Sequence, residues 1–167
     1  MNKFFYKFYS LNSTDLPVMT QPTDSFEEID SAVVRFAGDS GDGMQLTGSN
    51  FTEATAIYGN DLATFPDFPA EIRAPAGATF GVSAFQIYFG SEDVSTAGDD
   101  VDVLVAMNPA ALITNLKDVL VGGLLIIDSD AFTDKNLARA GYSTNPIEDG
   151  SLDAYRVIPI AVSKQVV

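Results

Sequence analysis

Residues 31–59 read SAVVRFAGDSGDGMQLTGSNFTEATAIYG, and their order decides the fold. SAVVRFA (31–37) is apolar and β-branched, which is the composition of a strand. Gly38, Gly41 and Gly43 then crowd a turn, with Asp39, Ser40 and Asp42 interleaved. Beyond it Met44, Phe51 and Tyr58 recur at seven-residue spacing, with Thr47, Gly48 and Ala54 between them. That spacing predicts one apolar face of a helix, which Gly59 stops. Strand, glycine turn and helix in this order open an α/β fold.

The pattern continues outward from this stretch. LATF (62–65) reads as a short strand, and PDFPAEIRAPAG (66–77) as a loop whose three prolines exclude regular ladder pairing. ATFGVSAFQIYF (78–89) carries apolar residues at both parities, as a strand covered on both faces does. GSEDVSTAGDD (90–100) is a surface loop, and VDVLVAM (101–107) another strand. NPAALITNLKDVL (108–120) predicts a helix with Asn108 as N-cap and Pro109 at its first position. Gly122 and Gly123 are expected to turn into the strand LLIID (124–128). A shorter helix, TDKNLARAG (133–141), starts at Thr133 and stops at Gly141, and YRVIPIAV (155–162) is a last strand. Alternating strands and helices predict a three-layer α/β/α domain with a largely parallel or mixed sheet, Rossmann-like in outline. The domain is expected over 31–167, after an extension and flexible polar lead-in over 1–30 with Met19 as the functional start.

Composition narrows the chemistry. The chain has no cysteine and no histidine, so it holds no disulfide, no thiolate-bound iron–sulfur cluster, no Cys/His zinc site and no Ser-His-Asp triad. No catalytic residue and no metal ligand is assigned. A net charge of −14 opposes binding to nucleic acid or an anionic membrane. No apolar run reaches the roughly 20 residues of a membrane-spanning helix.

The glycine loop fails two phosphate-binding templates. No lysine follows the glycines, as a P-loop requires, and a G-x-G-x-x-G fingerprint started at Gly41 ends on Leu46. What it keeps is a backbone that another chain or a ligand can approach closely. Free N–H groups at the helix start attract an anion, and Asp39 or Asp42 would cap them from within the chain. Arg73 is the only basic residue between Phe36 and Leu116, a span with eleven Asp and Glu. It has two readings, a bidentate contact to an anionic ligand or an internal pair with Asp39, Asp42 or Glu71.

GDSGDGMQLTG, DFPAEIRAPAG, GVSAFQIYFG, DVLVAMNPAAL, GGLLIIDSD and NPIEDGSLDAY occur in this order. Together they resemble the γ domain of the 2-oxoacid:ferredoxin oxidoreductases, in particular the amino-terminal part of the α subunit in the 2-oxoglutarate-type enzymes. The likeness covers about residues 31–162. Such enzymes decarboxylate a 2-oxoacid on thiamine diphosphate with magnesium, pass electrons through iron–sulfur clusters to ferredoxin, and pass the acyl group to coenzyme A. The resemblance implies a cytoplasmic accessory domain, inert alone, that helps bind coenzyme A or docks against the remaining α-subunit domains and the β subunit. It implies too that the chain is part of a subunit several times longer. Carried over by position, the matches are Gly38, Asp39, Ser40, Gly41, Asp42 and Gly43 of the first loop, and Glu71, Ile72 and Arg73 of the second. Many γ domains carry a glycine- and glutamine-rich first loop, and two aspartates stand here instead. At about 4 Å each would oppose a phosphate by roughly 1 kcal/mol in water and more when buried. Arg73 is therefore the expected anion contact, and the acidic loop a hydrogen-bonded hinge for close approach. Two other functions remain open to the residues, a stand-alone nucleotide- or coenzyme-binding domain and a non-catalytic interaction module.

Overall fold

In the computed structural model, residues 6–7, 26–27, 29–67 and 81–162 are described. Strand β1 (Ser31–Asp39) is followed by helix α1 (Met44–Ile57) and strand β2 (Asp61–Asp67). Strands β3 (Val82–Gly90) and β4 (Val101–Ala106) come next, then helix α2 (Pro109–Asn115), which tightens into a 3₁₀ turn at Leu116–Asp118. Strand β5 (Val119–Asp128), helix α3 (Asp134–Ala140) and strand β6 (Arg156–Ile160) complete the order. Tyr6–Lys7 and Phe26–Glu27 form a separate two-residue antiparallel ladder.

The six strands make one sheet in the order β2-β3-β1-β4-β5-β6. β1, β4, β5 and β6 pair in parallel, as strands joined by helical crossovers must. β3 runs antiparallel to both of its neighbours, β1 and β2. No helix separates β2 from β3 among the described residues, and the sheet is mixed.

Each face has its own core, because side chains alternate along a strand. Ala32, Val34, Phe36, Phe85, Ile87 and Phe89 lie under α1 with Met44 and Phe51. Phe51 meets Phe36 and Phe89 edge to face, at ring centroid distances of 5.4 and 5.8 Å. On the opposite face Val33, Ala37, Leu104, Ala106, Leu125 and Ile127 pack on Ala111 and Leu112 of α2 and Leu137 of α3. Helices thus cover both faces of the sheet, giving the expected three layers.

Four local expectations are corrected. Tyr58 does not belong to the buried face of α1: it is the C-cap and 63% exposed, while Met44, Gly48 and Thr55 are buried. Pro66 does not end its strand but pairs with Phe85. It is tolerated because β2 is an edge strand, where a missing N–H faces outward. The second helix ends at Asn115, five residues early, since Val119 already pairs with Val101. Gly122 and Gly123 consequently lie inside β5, not before it.

Candidate functional site

β1 and β4 are parallel neighbours, and the helices that follow them lie on opposite faces. Such a switch point opens a crevice at the carboxyl ends of the strands. A cavity of about 60 Å³ occupies it, lined by Asp39, Asn108, Pro109, Ala110, Asn136, Arg139 and Ala140.

The glycine loop closes one side of this crevice. Asp42 Oδ2 accepts from the Asp39 N–H at 2.8 Å, and the Asp42 N–H donates to the Asp39 carbonyl at 3.0 Å. The Ser40 N–H reaches the Gly81 carbonyl at 3.3 Å, tying the loop to the start of β3. A Cβ on Gly38 would lie 2.9 Å from Asp42 Oδ2 and 3.2 Å from the Met44 side chain, so a side chain there would press on the carboxylate that closes the turn. Gly43 is the N-cap of α1 in the left-handed region, at φ 77°, where side-chain-bearing residues are disfavoured. No side chain caps α1 there, and its first bond runs from the Thr47 N–H to the Gly43 carbonyl at 2.8 Å. The expectation that Asp39 or Asp42 caps α1 is therefore corrected: Asp42 holds the loop itself.

Asp39 faces the other way. Asn108 Nδ2 donates to its Oδ1 at 2.8 Å, while Asn108 Oδ1 accepts from the Ala111 N–H at 2.8 Å as the N-cap of α2. One asparagine thus joins the loop to α2. Burial holds the Asp39 carboxyl above its usual range, and the Asp42 charge adds to this. The Asn108 hydrogen bond and the Arg139 charge pull the other way without restoring it. A carboxyl whose folded-state affinity for protons exceeds the unfolded one loses stability as pH rises through its folded value. Asp39→Asn keeps an acceptor for Asn108 and removes the charge. It should raise the melting temperature at pH 7, and the gain should fade as pH drops towards 4. A gain independent of pH would show that the Asp39 charge is not its source.

Chemically the crevice is a small notch with both donors and acceptors on its wall. One carboxylate, Asp39, and one guanidinium, Arg139, line it together with the amides of Asn108 and Asn136. The second loop cannot be placed beside it: Glu71, Ile72 and Arg73 lie outside the described residues. β2, which leads into that loop, is not adjacent to β1, since β3 lies between them. Gln45 in the first turn of α1 bridges part of that gap, with Nε2 donating to the Ala84 carbonyl at 2.8 Å and Ser83 Oγ at 3.2 Å. Among the described residues no cluster of three or more Asp or Glu is placed to hold a metal, and no helix is long and apolar enough to cross a membrane.

A second polar cluster escaped the sequence reading. Arg35 Nε donates to Gln86 Oε1 at 2.8 Å, and Nη1 donates to Asp118 Oδ2 at 2.6 Å and Asn115 Oδ1 at 3.2 Å. Gln86 is fixed in turn by the Ala97 and Gly98 carbonyls, both at 2.7 Å, and Asn115 by the Ala111 carbonyl at 2.8 Å. The cluster borders a cavity of about 170 Å³ with Phe65, Asp67 and Lys117 on its wall. The signal was present: a lone arginine in VVRFA and a lone glutamine in AFQIY, which prove to be cross-strand partners.

A mixed α/β sheet with a glycine turn at its switch point places the chain among the α/β domains whose crevice lies at the carboxyl ends of the strands. The chain belongs to the pyruvate ferredoxin/flavodoxin oxidoreductase family, whose sequence signature matches residues 33–165. It is 57% identical over 137 residues to the 2-oxoglutarate oxidoreductase subunit KorA of Mycobacterium tuberculosis, covering 82% of this chain and 21% of that one. Its fold is similar to the 2-oxoglutarate:ferredoxin oxidoreductase of Magnetococcus marinus, solved with 2-oxoglutarate, coenzyme A and succinyl-CoA bound. That match has a TM-score of 0.63 and 27% identity, over 82% of this chain and 21% of that chain. The gamma subunit of a keto/oxoacid ferredoxin oxidoreductase from Geobacter sulfurreducens shares the fold, with a TM-score of 0.57 and 21% identity over 82% and 64% of the two chains. The chain thus spans about a fifth of the Mycobacterium relative.

Proposed function

We propose that this chain is the accessory γ-type domain, residues 31–167, of a cytoplasmic 2-oxoglutarate:ferredoxin oxidoreductase. The observation that carries the reading is the 57% identity to KorA over 82% of the chain. The iron–sulfur clusters belong to other parts of the assembly, since this sequence has no cysteine to ligate one, and thiamine diphosphate and magnesium are assigned to those parts with them. Its own role is to dock against the remaining α-subunit domains and the β subunit and to complete the coenzyme A environment. Ferredoxin is then met through the assembly.

A chimera tests this. Residues 31–162 would replace the matched region of the Mycobacterium subunit, which would be assembled with its partner. The chimera should assemble and reduce ferredoxin with 2-oxoglutarate and coenzyme A, while the isolated chain stays inactive. Failure of the chimera to assemble, or turnover by the isolated chain, overturns the reading.

Within that role Gly38–Gly43 form the interface hinge, with Glu71 and Ile72 as loop support, and Arg73 is the anion contact. A charge-assisted hydrogen bond contributes about 1.5–3 kcal/mol, so Arg73→Ala should raise the KM for coenzyme A about tenfold or more with kcat little changed. An unchanged KM together with unchanged assembly removes Arg73 from the site.

A further inference from the structure

Helices lie on both faces of the sheet, but unequally. α1 packs over β1, β2 and β3 on one face, and α2 and α3 pack over β4 and β5 on the other. Past a bulge in β5, where its ladder with β4 steps from Val101–Val119 to Val103–Leu124, the α1-side face of β4, β5 and β6 carries an apolar row. Val105 lies beside Ile126 and Ile126 beside Ile158, with Ile160 following on β6. On the covered face of the same strands, Leu104, Ala106, Leu125 and Ile127 are 0% exposed. Val105 and Ile126 are only half-buried, while Ile158 and Ile160 are 41% and 36% exposed. Parallel strands occur almost only in sheets covered on both faces, so this half-face calls for a covering layer.

The path of the chain selects what supplies it. Val162, just past β6, donates its N–H to Asp128 Oδ1 at 3.1 Å. Asp128 is 4% exposed and ends β5, on the parity of Leu124 and Ile126. The chain leaving the edge strand is therefore drawn back towards β5, not outward from the sheet. α2 and α3 step the chain outward, from β4 to β5 and from β5 to β6, on their own face. Crossovers between parallel strands are right-handed, so a helix that steps back inward belongs on the opposite face. α1, which steps in that same direction from β1 towards β2, already lies there. The relatives carry chain enough for such a helix, since the match spans 21% of the Mycobacterium subunit and 64% of the Geobacter gamma subunit.

We propose that the α1-side face of β4, β5 and β6 seats an amphipathic helix of the polypeptide that follows Val162 in the full-length subunit, with Ile126, Ile158 and Ile160 under its apolar side. This inference rests on the reading of the chain as one domain of a longer subunit, and the chimera separates the two. Ile158→Cys would be labelled with a maleimide in the isolated chain and in the chimeric subunit, and labelling read on the peptide that carries residue 158. The rate should fall about tenfold or more in the chimera, both before and after the β subunit is added. Ile57→Cys, exposed on α1, should be labelled at similar rates in both. Ile158→Asp should leave the melting temperature of the isolated chain unchanged and lower that of the chimera. Equal labelling of Ile158→Cys in the isolated chain and in an active chimera overturns the inference and leaves the assembly reading intact. Protection that appears only with the β subunit also overturns it, making that subunit the occupant, as does protection of the isolated chain that grows with its concentration, making it a second copy. Equal slowing at Ile57→Cys overturns it too, because the shielding would then not belong to this face. An unsubstituted chimera that never assembles removes the assembly reading and this inference with it.

Discussion

Gly48→Ala is expected to lower the stability of the chain by about 2 kcal/mol, although alanine is the better helix former by about 1 kcal/mol. A Cβ at residue 48 would sit 2.1 Å from Phe85 Cδ1, 2.3 Å from Cγ and 2.8 Å from Cβ. The ring belongs to a buried phenylalanine on a central strand, so it has no free volume to enter. Contact with Phe85 Cβ means that a rotamer change alone does not relieve the clash. α1 must lift off the sheet, and the edge-to-face stack of Phe51 on Phe36 and Phe89 loosens with it. Lifting α1 also pulls Gly43 and Gln45, which set the glycine loop and its link to Ala84. The melting temperature should fall by about 4–8 °C for a domain of this size. Asn50→Ala, exposed on the same helix, should be neutral or gain a few tenths of a kcal/mol. Urea midpoints for the two variants decide the matter, and equal midpoints would mean that α1 does not touch β3 as closely as described.

What the sequence disclosed here was whatever neighbouring residues decide. The turn after β1, the Asn108 cap with Pro109 behind it, and the Thr133 start and Gly141 stop of α3 each lie within a few residues, and all are present. Alternating apolar residues at both parities of β3 correctly announced a strand buried on both faces. Pro66 within β2, the early end of α2 and the bulge in β5 were hidden for a common reason. Each depends on which strand lies beside it, and strand order is not a local property. The direction of β3 was open for the same reason.

The site was legible in part. Glycines interleaved with aspartates marked the loop at the switch point, but not the division of labour between Asp42, which closes the turn, and Asp39, which faces Asn108. That division depends on Asn108, which stands 69 residues further along the chain than Asp39. The Arg35 cluster joins residues 51 to 83 apart, so no sequence window contains it.

Arg35→Met tests what that cluster does, and should cost about 2–3 kcal/mol. Methionine keeps the apolar stem on β1 and deletes the guanidinium. Gln86 and Asn115 are 4% and 5% exposed, and their side-chain nitrogens already donate to carbonyls. Their oxygens therefore cannot swing away to find a new donor, and each buried acceptor left unpaired costs about 1–3 kcal/mol. Asp118 adds less, because its side chain is 34% exposed and water can replace the lost partner, whereas Arg35 is 16% exposed. Asp118→Asn should accordingly cost only about 1 kcal/mol, since Nη1 retains Asn115 and a neutral oxygen. The double variant should fall short of the sum of the two, because both act on one network. Strict additivity in the denaturation cycle would mean that the guanidinium and the Asp118 carboxylate do not work together. A negligible loss for Arg35→Met alone would show the cavity beside Gln86 to be wet enough to satisfy those oxygens without it.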